Sequence, residues 1–221
     1  WVDPSSIVMA VGDKANTTVP SGMDFIAKSG TKVWLIGATQ VPGVPWLGVN
    51  TMHESIVNGT TGPVQMHLDK VNGPGKMAVF MSGTFGGGAG QRVFDNVGGP
   101  TSYTIPANTH AHPNWVFTAA GHYVVTVTQS ATTKAGKRVS AIGTLHFAIG
   151  IDATSVAASV GTLGLLIALL DLLPSVRLPV RLSQHRVTSF CWFPMLSFTG
   201  SKIHLFIFAV NAAILSVRFA F

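Results

Sequence analysis

The chain has 221 residues, enough for one domain of ordinary size plus an appendage. Only 10% of them are charged, against about 25% in typical soluble domains. The net charge of +6 is unevenly spread: residues 1–153 hold nine Lys/Arg and seven Asp/Glu, and residues 154–221 hold five and one. The body therefore lacks the basic face interleaved with aromatics that nucleic-acid binding requires, and no nucleic-acid partner is expected.

The chain opens on Trp1-Val2-Asp3-Pro4, without Met or a basic n-region, and so reads as a fragment or a processed product. Gly (24) and Pro (12) are plentiful, and Val and Thr recur through the first two thirds. That favours short strands joined by turns over helices. Strands are expected at 6–11, Lys32–Ile36, 62–71, 76–81, 101–105, Asn114–Phe117, 122–131 and Arg138–Ile149. A further one runs through Trp46-Leu47-Gly48. Turn signals separate them: Asn58-Gly59, Asn72-Gly73-Pro74-Gly75, the glycine-rich 83–90 and Gly98-Gly99-Pro100.

Alternation is clear twice. Val64, Met66 and Leu68 are apolar against Gln65, His67 and Asp69, and Tyr123, Val125 and Val127 repeat the pattern. The fold class expected for residues 1–150 is all-β, an immunoglobulin-like antiparallel β-sandwich. Gly121-His122-Tyr123 at the head of an apolar strand is similar to the tyrosine corner of such sandwiches, with the ring inside and the hydroxyl on nearby backbone. An ordinary strand tyrosine is the other reading.

The composition changes near residue 153. Residues 153–170 form an uncharged run of 18, ended by Asp171. A span needs about 20 apolar residues, so 151–173 is a candidate transmembrane anchor. Arg177, Arg181 and Arg186 follow it and would place the tail inside and residues 1–150 outside. The basic, aromatic-rich tail, 174–221, carries Cys191, the sole cysteine; the body has neither disulfide nor thiolate metal site. Three readings of the tail stand: a membrane hairpin, a segment without native structure, or out-of-frame translation.

His110-Ala111-His112-Pro113-Asn114-Trp115-Val116-Phe117 is the densest chemistry in the chain. Residues i and i+2 of a strand share a face, so His110 and His112 can aim two imidazoles at one point. Imidazole suits zinc and other late first-row metals. Two ligands are too few for tight binding; His53, Glu54, Asp95 or His122 would have to complete the set. The competing reading is a His-x-His that bonds backbone in a turn network with Asn114 and Trp115. His67 and His146 read as surface histidines. Trp34, Trp46 and Trp115 read as packing residues rather than sugar platforms.

Several stretches resemble the actinobacterial surface-anchored repeat domain, also described as the choice-of-anchor M domain. They are Val33-Trp34-Leu35-Ile36 leading to Pro42-Gly43-Val44-Pro45-Trp46-Leu47-Gly48-Val49-Asn50, then Gly73-Pro74-Gly75-Lys76-Met77-Ala78-Val79-Phe80 with Val93-Phe94-Asp95. Most specific is 106–118, centred on His110-Ala111-His112-Pro113-Asn114-Trp115 and closed by Ala120-Gly121-His122-Tyr123. The family pattern is His-x-His-x-Asn-Trp-x-Phe-Thr followed by Pro-Gly-x-Tyr; here Ala120 replaces the proline. The resemblance covers residues 1–150 and none of the tail. It implies a protein on the extracellular face of the cell, held to membrane or wall, and associated with an ABC transporter that imports a metal. No Leu-Pro-x-Thr-Gly sorting signal is present.

Catalysis finds little support. There is no Gly-x-Ser-x-Gly elbow, no Lys-Ser/Thr pair after the glycine-rich 83–90, and no second His after His53-Glu54, since position 57 is Val. The expectation is a non-catalytic, surface-anchored accessory to a metal importer, with zinc at His110 and His112. The alternative is a structural or adhesive module binding protein or wall glycan without metal.

Overall fold

The computed structural model describes residues 3–83 and 89–161, and beyond these only the backbone of three short strands. The elements follow in chain order as β1 (Val8–Val11), β2 (Asn16–Thr18), β3 (Lys32–Ile36), β4 (Trp46–Asn50), α1 (Glu54–Gly59), β5 (Thr60–Asn72), β6 (Met77–Ser82) and β7 (Ala89–Asp95). Then come β8 (Ser102–Ile105), β9 (His110–Ala111), β10 (Asn114–Phe117), β11 (Gly121–Thr133) and β12 (Arg138–Ile149). A helix covers 153–161. The late strands are β13 (Leu196–Thr199), β14 (Lys202–Leu205) and β15 (Ala209–Asn211).

Among the described residues the fold is all-β apart from α1, the helix over 153–161 and two single turns near the start. Two five-stranded sheets dominate, ordered β1-β12-β11-β5-β8 and β2-β3-β10-β6-β7. Every pairing within them is antiparallel except β1 with β12, which run parallel from Val8 opposite His146 to Val11 opposite Ile149. β4 and β9 form a separate short ladder, with β15 on the other side of β4.

Alternation explains why the two sheets pack together. Val64, Met66 and Leu68 of β5, Val125 and Val127 of β11 and Leu145 and Phe147 of β12 point inward from the first sheet. Ile36, Met77, Val79, Trp115 and Phe117 answer from the second. At the centre, Trp115 and Phe147 have ring centroids 5.6 Å apart, Phe117 and Phe147 5.1 Å, and Phe117 and Tyr123 5.0 Å. Each large side chain so buried contributes about 1.5–3 kcal/mol. A smaller cluster caps the outer face of the second sheet, where Val19, Met23 and Ile26 pack on Val33, Ala78, Phe80 and Val116.

The expected strands at Lys32–Ile36, Asn114–Phe117 and Arg138–Ile149 form with those bounds. β2, β7 and β9 were not among those expected. Residues 84–88 of the glycine-rich loop lie outside the described residues; β6 and β7 pair antiparallel on either side of it. The expected anchor over 151–173 is described only as far as 161, and the tail only by β13–β15. Among the described residues, no helix is long and apolar enough to cross a membrane.

Candidate functional site

Thr51 begins the construction of the site. Its buried hydroxyl donates to Pro106 O at 2.7 Å and accepts Thr109 N–H at 2.9 Å, pinning loop 106–109 to the end of β4. Asn108 turns the chain there at φ 52°, a left-handed conformation that asparagine tolerates better than most residues. β9 then pairs with β4, with His110 opposite Asn50 and Ala111 opposite Val49. His110 and His112 therefore stand on one side of the chain, above Trp46, Gly48 and Asn50.

His112 is held on two sides. Its ring stacks on the Trp46 indole, with centroids 3.7 Å apart and 8° between planes. Its Nδ1 lies 3.1 Å from Leu47 O. A carbonyl only accepts, so Nδ1 carries the proton in the neutral ring and Nε2 keeps its lone pair. That Nε2 is 3.2 Å from His110 Nε2. Gly48 makes the arrangement possible, because a Cβ there would sit 2.7 Å from His112 Cε1.

Asn114 fixes the support from below. Its Oδ1 accepts Ala38 N–H at 3.0 Å, while its Nδ2 donates to Phe80 O at 3.3 Å and Ser82 Oγ at 3.0 Å. Ala38 O in turn accepts the Trp46 indole N–H at 2.9 Å. A continuous chain of contacts thus runs from β10 through the β3–β4 loop to the imidazole of His112. Trp115, next in sequence, points the other way into the core.

Burial pushes the His112 pKa below its ordinary value, the Leu47 carbonyl pulls it back up, and a charge on His110 would lower it further. Both effects of burial and neighbour favour a neutral, ligand-competent ring near neutrality.

The other expected ligands have contacts of their own. His53 is the N-cap of α1: its Nδ1 accepts Ser55 N–H at 3.2 Å and lies 2.9 Å from Ser55 Oγ. Glu54, the first residue of α1, is exposed. Asp95 is 2% exposed and fully engaged: it accepts from Arg92 and from the backbone N–H groups of Val97 and Gly99. His122 lies on the first sheet, its Nε2 3.1 Å from His146 Nδ1. Among the described residues no group of three or more His, Cys, Asp or Glu is placed to hold a metal ion. Of the expected set of His53, Glu54, His110 and His112, the structure brings the rings of His110 and His112 into contact, while His53 caps α1 through Nδ1 and Glu54 is exposed.

His67 is exposed as expected, bonded to Ser102 Oγ at 2.8 Å. His146 is not the free surface histidine expected; it is half-buried and paired with His122. Tyr123 is fully buried and its hydroxyl donates to Ala119 O at 3.1 Å. The support from Trp46, Leu47 O and Gly48 was not read from the sequence. The signal available was parity, since 46, 48 and 50 share a face of β4 as 110 and 112 share a face of the opposing segment.

Comparison with protein-family models, with curated proteins and with solved structures finds no match to this chain.

Proposed function

We propose that this is a non-catalytic, surface-anchored protein, accessory to an ABC-type metal importer, which holds zinc or a similar ion through His110 and His112. The observation that carries the reading is the geometry of the pair. Zinc–imidazole bonds of about 2.0–2.1 Å to two nitrogens 3.2 Å apart enclose about 100° at the metal, near the tetrahedral value. His112 also has the hydrogen bond from its second nitrogen to a carbonyl that metal-bound histidines usually make. Only two protein ligands leave coordination positions open, which suits capture and release better than permanent storage.

Fold and context support the same reading. The sheet order β1-β12-β11-β5 with a parallel β1–β12 pair fits an immunoglobulin-like sandwich. So does Tyr123, at the corner between β10 and β11, bonding backbone four residues upstream. The resemblance of residues 1–150 to surface-anchored repeat domains supplies the location, the extracellular face of the cell, and the partners: transporter components, and membrane or wall through the segment after residue 150.

The lack of a third ligand among the described residues favours a second reading, a structural or adhesive surface module binding protein or wall glycan. Metal content of the full chain by mass spectrometry, beside the His110→Ala/His112→Ala double variant, separates the two. Stoichiometric zinc that disappears in the variant supports the metal reading. Equal, sub-stoichiometric metal in both, with unchanged thermal stability, leaves the structural one.

A further inference from the structure

A second pair of histidines occupies the outer face of the first sheet. Along β11 the inward residues are Tyr123, Val125 and Val127, so His122 and Val124 face out. Along β12 Leu145 and Phe147 face in, so His146 faces out. The register sets His122 opposite Ala148 and Val124 opposite His146, which makes the two histidines diagonal neighbours. Diagonal positions lie within reach of long or aromatic side chains. Here the rings meet, with centroids 5.4 Å apart, and His122 Nε2 is 3.1 Å from His146 Nδ1. None of this involves β4 or β9, so the pair is separate from His110 and His112.

We propose that His122 and His146 form a cross-strand chelate for a late first-row divalent cation, with Cu2+ the tightest of the series. Three observations support it. The nitrogen separation of 3.1 Å encloses about 100° at a metal with ordinary imidazole bond lengths, as at the first pair. Both donors stand on adjacent strands in the longest ladder of the fold, twelve residue pairs between β11 and β12, so binding needs little reordering. Finally, burial disfavours the charged form of both rings. Burial lowers the His122 pKa, and burial together with the His122 charge lowers that of His146 to about 4. A neutral imidazole is the form that binds metal, and two-imidazole sites rank copper above zinc. Remaining positions would be filled by water or by a donor from a partner.

The register explains why the rings pair at all. His146 lies between Val124 on one side and Val8 of β1 on the other. With two apolar neighbours across the ladders, the hydrogen-bond contact of His146 is to His122 on the diagonal.

The test uses the full chain in the His110→Ala/His112→Ala background, titrated with Cu2+ and read by electron paramagnetic resonance and calorimetry. The expected result is one saturable Cu2+ site whose spectrum shows nitrogen coupling from two imidazoles. Adding His122→Ala should abolish it, and His146→Gln should do the same if that variant keeps the wild-type circular dichroism. Because His122 is on the outer face, its removal is expected to leave the fold intact. Cu2+ binding that survives His122→Ala, or no saturable site in the double-variant background, would overturn the proposal. Neither result bears on zinc at His110 and His112, which is read in the parent chain.

Discussion

The imidazole of His112 lies flat on the indole of Trp46, 3.7 Å between centroids, with its Nδ1 on the next residue's carbonyl, Leu47 O. One tryptophan thereby reports directly on one candidate ligand. Cu2+ bound at His112 should quench Trp46 emission. The Trp46→Phe variant should lose that quenched component and keep the rest. Equal quenching in both proteins would place the metal elsewhere.

Gly48 gives a sharper probe of the same site. A methyl group there would meet the His112 ring at 2.7 Å and Ala111 O at 3.0 Å. Gly48→Ala should displace the imidazole while leaving both histidines in place. Outer-shell changes of this kind typically cost roughly 10–100-fold in metal affinity. Calorimetry with Zn2+ should show a loss in that range, with a melting temperature close to that of the parent.

Part of this arrangement is legible in sequence. The period-two pattern at Tyr123, Val125 and Val127 fixes which face of β11 is inside, and the core follows it. His110 and His112 are readable as co-facing for the same reason. The partners are not readable, because they depend on register between distant strands. His112 meets Trp46 only through the β4–β9 pairing, and His122 meets His146 only through the β11–β12 pairing, 24 residues apart. Sequence parity correctly turned His146 outward. It could not indicate that Val8 of the first strand would arrive beside it. β2 escaped notice because Asn16–Thr18 is exposed throughout and so carries no apolar rhythm.

Tyr123 ties the β10–β11 corner together. Tyr123→Phe removes only the hydroxyl that donates to Ala119 O and should cost about 1 kcal/mol in urea denaturation. Gly73→Ala should cost more, because its Cβ would collide with the Tyr123 ring. A Gly73→Ala protein as stable as the parent would show that the ring has room to move.

The histidine pair on the first sheet predicts an acid-labile fold. His146 has its pKa lowered to about 4 by burial first and by His122 second, against 6.5 when unfolded. Between those values the unfolded chain binds more protons than the native one, so stability falls as pH drops from about 6.5 to about 4. One pKa unit corresponds to about 1.4 kcal/mol, and His146 retains solvent contact, so the discounted loss is about 1–2 kcal/mol. Denaturant midpoints measured from pH 7 to pH 4 should fall less in His146→Gln.

Asp95 is buried, its carboxylate met by Arg92 and by the N–H groups of Val97 at 2.9 Å and Gly99 at 2.8 Å. Asp95→Ala strands these donors and should destabilise by about 3–5 kcal/mol. Asp95→Asn keeps an acceptor for the turn and should cost less. Arg92 also lies over the Phe25 ring, 4.6 Å from its centroid, so Arg92→Ala should loosen the 19–27 segment as well.

The parallel pairing of β1 with β12 has a mechanical meaning. The two strands run side by side in the same direction, four residue pairs in register from Val8 and His146 to Val11 and Ile149. Tension applied through the start of β1 and the end of β12 pulls the strands past one another along their length. The hydrogen bonds between them lie across that direction, so they must fail together rather than open one at a time like a zipper. The pair therefore acts as a shear clamp, stiffest along the direction in which its two strands run.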